Sequence, residues 1–273
     1  MASSKPRKKP VYELFYMNVN NTFHIINGDA LLDNFPAELL TGEIIVAREC
    51  LVDGPVSGEN FQEFAETRAN FIHQEYGEEK QAYFEEIIPE FNKIQAIPVE
   101  SEVNFWFEDD LFCQVNLWFC ASLLMPVAHT IKAYIIKPLI TNNDPDWGGF
   151  GGMDNHRLAE AYLHKRLLSY QDITLLSNLW DAYKNNDKQA LKNLASSAAA
   201  NFPFLDLVIQ AQLDRSQNRP ENVLKMIIEE KATSDFNTVF REFSRREGIY
   251  GFGDWQVEKM LARIQNSNET SDR

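Results

Sequence analysis

Apolar runs and helical patterns alternate along the first half of the chain, and this alternation predicts a layered sheet. Runs of apolar and β-branched residues predict four strands, at 23–26, 44–47, 103–107 and 130–136. Helical patterns fall between them, at 30–35, at 58–95 with a break at Gly77, and from 108 to about 124. Because such strand–helix–strand units form parallel sheets, the pattern predicts an α/β fold with a Rossmann-like, mostly parallel layered sheet over residues 11–140.

Only helical patterns follow in the second half of the chain. Residues 141–154 (TNNDPDWGGFGGMD) are rich in glycine and are predicted to be a linker to an all-α domain over 155–265. Its helical period shows in one amphipathic stripe, formed by Ile173, Leu176, Trp180 and Tyr183. The turn GIYGFGD at 248–254 is compatible with a small hairpin between two helices, so a winged-helix-like form of this domain is an alternative.

The composition is that of a globular protein, with 44% hydrophobic and 24% charged residues in a chain of 273. This length allows one large domain or two modest ones. Residues 12–19 are compatible with a short strand or with a tail that pairs on a sheet edge. The basic residues 1–10 and the polar residues 266–273 are predicted to be disordered ends.

The net charge of −14 is distributed unevenly. The first 140 residues hold 10 Lys and Arg against 21 Asp and Glu, a net charge of −11, and the remainder holds 16 against 19, a net charge of −3. Such a negative field repels phosphate backbones, so nucleic acid is not expected as a partner of the N-terminal half. Arg241, Arg245 and Arg246 form a small basic cluster, for which protein contact or plain packing is the preferred interpretation.

The longest apolar stretch, residues 115–127, is too short for a membrane span and is interrupted by Asn116 and Ser122. The basic N-terminus is not followed by the apolar segment of a secretory signal. The three cysteines lie in apolar surroundings, as reduced core cysteines do, and are Cys50, Cys113 and Cys120. The sequence therefore predicts a cytoplasmic protein without a membrane span.

Several motifs together resemble a known protein family. HIINGDALL, IIVARECLVDGPV, a helix that carries Arg68, and VNFWFEDDLFCQVNL are similar to the N-terminal signature of a bacterial family known as a domain of unknown function. Residues 168–264, with FPFL and GFGDWQVEKML, resemble the helical domain that usually follows it. The resemblance implies the fold and the pairing of the two domains, but no reaction. Ala30 stands where the family commonly has Ser, which puts a role for a hydroxyl there in doubt.

Polar residues follow three of the predicted strands, at the edge of the sheet where parallel α/β folds bind ligands. The candidate catalytic carboxylates are Asp29, Glu49 and Glu108. The candidate substrate-binding residues at this edge are Gly28, Arg48 and Gln114. The family resemblance adds Arg68, on the first long helix, as a further candidate that would bind an anion. Clustered carboxylates can also hold a divalent metal such as Mg²⁺, and the candidate ligands are Asp29, Glu49 and Asp110.

Each of these residues also has a structural interpretation. Asp29 stands where a helix N-cap belongs, and GDALLD has one glycine where a dinucleotide fingerprint needs three. Arg48 and Glu49 are compatible with an exposed ion pair, and 108–110 with first-turn charges that face solvent. His24, inside the first strand, is more typical of a satisfied core histidine than of a catalyst.

Two hypotheses about function follow. The first is a small-molecule enzyme, metal-assisted, that acts on a phosphorylated or nucleotide-like substrate at the carboxylate-lined sheet edge. The second is a ligand-binding or regulatory module in which the helical half docks a partner. The convergence of polar residues at one edge favours the first, and the oligomeric state is not indicated.

Overall fold

The computed structural model describes residues 21–38, 40–139, 147–197 and 202–271. The segments predicted at 1–10 and 12–19 lie outside them, as does the first part of the predicted linker. Five strands form one sheet: β1 Thr22–Ile26, β2 Glu43–Val46, β3 Glu102–Trp106, β4 Lys132–Ile136 and β5 Arg166–Leu168. Their order is β2-β1-β3-β4-β5, and the first four are parallel while β5 is antiparallel to β4. The predicted α/β fold with a mostly parallel sheet is therefore confirmed.

Helices fill the connections between the strands and most of the described residues of the second half. They are α1 Asp29–Leu32, α2 Phe61–Tyr76, α3 Lys80–Ala82, α4 Ile88–Gln95, α5 Leu111–Leu123, α6 Asn155–Leu163, α7 Tyr170–Lys184, α8 Lys188–Ser197, α9 Leu205–Arg215, α10 Arg219–Lys231, α11 Phe236–Glu247 and α12 Asp254–Ser271. A π-helical turn, Tyr83–Ile87, joins α3 to α4. None of the described helices is long and apolar enough to cross a membrane.

The sheet is covered on both faces, which explains why its strands are apolar runs instead of alternating ones. Ile25 and Phe105 belong to the large core that contains α5, whereas Ile26 and Trp106 point to the other face and pack with residues of α1 and α6. The result is a three-layer arrangement in which loops meet at the carboxyl ends of the strands.

Helix α5 joins the sheet to the helical half of the chain. Nearly all of its side chains are buried, and it makes its most extensive contacts with α7. Phe119 of α5 lies 4.8 Å from Trp180 of α7, measured between ring centroids. One apolar core therefore runs from Ile25 in β1 to Ile264 in α12.

Three boundaries differ from the sequence prediction. β5 comes from beyond the predicted linker, so the chain returns to the sheet after residue 154. Gly248–Tyr250 form a 3₁₀ turn, and the described residues after β5 contain no strand, so the hairpin that a winged helix needs is absent from them. α12 continues to Ser271, and the end predicted to be disordered from 266 is helical to that point.

Candidate functional site

A cavity of about 780 Å³ lies at the carboxyl edge of the sheet, beside the ends of β1 and β3. From β1 the chain passes to β2 on one side of β1, and from β2 it crosses to β3 on the other side. The direction of the strand order therefore reverses here, and β1 and β3 flank this topological switch point. Open α/β sheets bind ligands at this point. We call this space the carboxylate cavity, because Glu108 and Asp110 line it together with Asn27 and Cys113.

Glu108, Asp110 and Cys113 bring three potential metal-ligand atoms within 4.8 Å of one another. Glu108 Oε1 accepts a hydrogen bond from the Phe150 backbone N–H at 2.6 Å, and Glu108 Oε2 accepts one from the Cys113 thiol at 3.1 Å. Asp110 Oδ1 accepts from the Cys113 backbone N–H at 2.9 Å. Asp110 is therefore the N-cap of α5, and the acidic triplet precedes the helix, whereas the sequence placed it in the first turn.

Burial and charge repulsion control the protonation of this cluster. Burial, together with the nearby Glu108 carboxylate, raises the pKa of Asp110 to about 7. Burial also raises the pKa of the Cys113 thiol well above its usual value, and the two carboxylates add to the shift. The thiol is neutral at neutral pH, and Asp110 can exchange a proton there. A carboxyl group in this state suits acid–base chemistry, and it would release its proton to solvent when a cation binds.

The backbones of two glycine-containing loops lie in close contact with these carboxylates. A Cβ at Gly149 would lie 2.0 Å from Glu108 Oε1, and a Cβ at Gly251 would lie 1.9 Å from Asp110 Oδ1. Gly251 also has a φ of +64°, which side chains rarely adopt. The GGFGG segment of the predicted linker and the GIYGFGD segment, predicted as a compact turn or a small hairpin, therefore form walls of the cavity.

Helix α11 adds positive charge to the same cavity through Arg241 and Arg245. Arg245 is paired with Glu242 at 2.8 Å, whereas Arg241 is exposed and has no ion-pair partner among the residues that the structure describes. Four aromatic side chains complete the walls: Phe112, Trp147, Phe243 and Phe252.

Two polar side chains of α5, Asn116 and Gln114, connect the site to the loops around it. Asn116 Nδ2 donates at 2.8 Å to the side-chain oxygen of Asn27, which follows β1, and Asn27 Nδ2 donates to Cys113 Sγ at 3.0 Å. Gln114, predicted to bind substrate, is buried and donates to the Glu108 carbonyl oxygen at 2.6 Å. Gln114 therefore holds the loop that carries Glu108.

Glu49 and Arg68 form a buried ion pair below the loop that follows β2. Arg68 Nε and Nη2 donate to the two carboxylate oxygens of Glu49, each at 2.7 Å. Arg68 Nη1 donates to the carbonyl oxygens of Asp53 and Pro55, and Tyr83 donates to Glu49 Oε1 at 2.8 Å. All these groups are occupied, so the pair holds the loop instead of offering Glu49 as a catalyst or metal ligand, or Arg68 as an anion receptor.

Asp29 and Arg48 form an ion pair of 2.7 Å, and their side chains are 56% and 29% exposed. Asp29 is the first residue of α1, preceded by Gly28 at φ +78° without a side-chain cap, so the predicted N-cap role is not realised. Neither Asp29 nor Arg48 belongs to the Glu108 cluster or lines the carboxylate cavity.

A second cavity of about 350 Å³ adjoins the first. Gly28, Arg48 and Glu49 line it, and Asn27 and Phe112 line both spaces. Five of the eight sequence-predicted residues are thus divided between two neighbouring cavities, and the other three, Asp29, Arg68 and Gln114, line neither of them. Sequence reasoning missed Asn27, Cys113 and the two close glycines, since their roles depend on contacts between distant segments.

Comparison of the chain with protein-family models, with curated proteins and with solved structures finds no match. The family resemblance drawn from the motifs stays a prediction.

Proposed function

We propose that the protein is a metal-assisted enzyme that acts on a phosphorylated or nucleotide-like small molecule in the carboxylate cavity. The observation that carries this proposal is the meeting of Glu108, Asp110 and Cys113 within 4.8 Å, beside the switch point of the sheet. Two carboxylates and a thiol are a donor set for a divalent cation; the sulfur favours Zn²⁺, whereas the two carboxylates also suit Mn²⁺ or Mg²⁺.

The remaining groups of the cavity fit a phosphorylated substrate. A bound cation would offset the charge of Glu108 and Asp110, which otherwise repel a phosphate. Arg241 supplies a further positive charge from α11, and Phe112 and Trp147 offer flat apolar surface for a ring such as a nucleobase. The cation would polarise the phosphoryl group or lower the pKa of a bound water.

A reducing compartment suits this site, because Cys113 must stay reduced to bind the cation. None of the three cysteines of the chain is in a disulfide. We therefore propose a cytoplasmic location, and we retain the two-domain bacterial family as its proposed relationship.

The cation site is tested by titrating the protein with Zn²⁺, Mn²⁺ and Mg²⁺ in a calorimeter and by following its unfolding. At a free cation concentration of a hundred times Kd, the free energy of unfolding rises by about 2.7 kcal/mol. Asp110→Asn keeps the helix cap and loses the carboxylate, so we expect it to lose this gain. Asp109→Asn is the matched control, since Asp109 is paired with Lys137 at 2.6 Å and does not belong to the cluster.

Equal cation affinity in the two variants would contradict the site. A second assay separates catalysis from binding: turnover of phosphate esters and nucleotides is measured with the cation present. Turnover that Asp110→Asn abolishes supports the enzyme, whereas tight binding without turnover supports the regulatory module.

A further inference from the structure

The smaller cavity, which we call the apolar cavity, lies between the loop after β2 and the π-helical turn. Ala47, Ile72, Ala82 and Ile87 give it apolar walls, and Phe112 lines both this cavity and the carboxylate cavity. Its volume of about 350 Å³ lies at the lower end of the range for small-molecule pockets. It is large enough for an aliphatic chain or one aromatic system.

The polar groups around the apolar cavity are already satisfied. The carboxylate of Glu49 is saturated by Arg68, Tyr83 and the Cys50 backbone N–H. Burial raises the pKa of the Cys50 thiol to about 12, with a further contribution from Glu49, so the thiol stays neutral. The cavity thus offers a rigid apolar surface without a free charge on its inner wall.

The rim of this cavity disfavours a negative group. Glu78 and Glu86 are exposed there, and the positive charge of Arg48 is paired with Asp29. An anion would meet two carboxylates before it reached the apolar walls, which leaves an uncharged group as the occupant.

The π-helical turn is an independent sign of a binding site. Three of its residues, Tyr83, Glu86 and Ile87, line the cavity, as does the preceding residue Ala82. Single π-turns inside α-helices occur frequently at functional sites, because the wider turn changes the direction of its side chains. Tyr83 is fixed by its hydrogen bond to Glu49, so this wall is preorganised.

Taken with the shared residues Asn27 and Phe112, these features lead us to propose that the two cavities form one bipartite site. The charged group of the substrate binds beside Glu108 and Asp110, and an uncharged aliphatic or aromatic group of the same molecule occupies the apolar cavity. This inference rests on the proposed function for the charged half, and it names the substrate class as a phosphate ester with an apolar substituent.

The test measures the affinities of butyl, hexyl and octyl monophosphate, below their micellar concentrations and with Mn²⁺ present. Each methylene that enters an apolar cavity raises affinity by roughly three- to fourfold. We expect Ala82→Phe, which fills the cavity, to abolish the increase with chain length. Gln81→Phe places the same side chain on the exposed neighbour and should leave the increase unchanged. If Ala82→Phe does not fold, Ile72→Phe replaces it, with exposed Gln74→Phe as control.

The two halves of the site fail in different ways. Affinity that does not rise with chain length, or that rises equally in Ala82→Phe, overturns the bipartite site. Asp110→Asn should weaken all three esters by the same factor and keep the dependence on chain length. If that dependence persists while Mn²⁺ and Asp110→Asn have no effect, the apolar half stands and the proposed metal-assisted function fails.

Discussion

Glu49 and Asp110 are both buried carboxylates that follow a strand of the sheet, but their surroundings differ. Glu49 has a matching cation and further hydrogen-bond donors, whereas Asp110 has one backbone donor and a second carboxylate, Glu108, beside it. The surroundings of Glu49 therefore stabilise its negative charge, whereas those of Asp110 raise the free energy of its charged form. Sites that hold unfavourable charge are common where a ligand later compensates it.

Glu49→Gln should destabilise the protein by about 3–5 kcal/mol, because it leaves the buried guanidinium of Arg68 without its counter-ion. Urea denaturation at neutral pH measures this change. Glu86 is an exposed carboxylate that lines the apolar cavity together with Glu49, and Glu86→Gln should change the free energy of unfolding by less than about 0.5 kcal/mol. A cost of under about 1 kcal/mol for Glu49→Gln would show that the pair does not hold the loop.

Among the elements, those with a strong period were predicted well from the sequence. The four parallel strands are continuous apolar runs because they are covered on both faces, and α2 ends as expected at Gly77, which is left-handed. β5 has three residues and gives too little pattern for a strand. The π-turn was missed because it departs from the 3.6-residue period for one turn only.

Strand β1 also carries a buried histidine that ties three elements together. Trp106 Nε1 of β3 donates to His24 Nδ1 at 3.1 Å, and His24 Nε2 lies 3.3 Å from the Thr41 carbonyl oxygen, before β2. A Cβ at Gly42 would lie 2.9 Å from the imidazole, so the loop closes tightly over it. The geometry agrees with the expectation of a satisfied core histidine.

This contact makes the fold sensitive to acid. Burial lowers the pKa of His24 to about 4, with a smaller contribution from Lys165, against an ordinary value of 6.5. Between these values the unfolded chain binds the proton and the folded chain does not, so stability falls as the pH drops from about 6.5 to about 4. The loss reaches about 3 kcal/mol for this residue.

Unfolding free energies measured from pH 7 to pH 4 test this dependence. His24→Gln is less stable at pH 7, but its stability should fall less steeply with acid than that of the unchanged chain. Imidazole NMR signals report the pKa of His24 directly. A His24 that titrates near 6.5 in the folded protein would contradict the expectation.

For the whole molecule, the candidate site is a product of long-range folding. Asn27, Glu108, Gly149 and Gly251 come from four loops spread over more than two hundred residues, and a pattern within one segment cannot show that they meet. The edge of the sheet was predictable, because strand ends locate it. Which carboxylates face the cavity was not, since Glu49 and Asp110 look alike until their partners are known.

The continuous core through α5 and α7 leads to a prediction about cooperativity. Leu176 of α7 is fully buried in that core. Leu176→Ala should destabilise the protein by about 2–5 kcal/mol.

If the sheet and the helical half unfold as one unit, amide hydrogen exchange in Leu176→Ala should accelerate by the same factor in β3 and in α7. Asn178→Ala, an exposed change on the same helix, should change the opening free energies calculated from both exchange rates by less than about 0.5 kcal/mol. Faster exchange confined to residues 155–265 would instead support two domains that fold independently. The carboxylate cavity would then join two units, and its walls on Gly149 and Gly251 would depend on their docking.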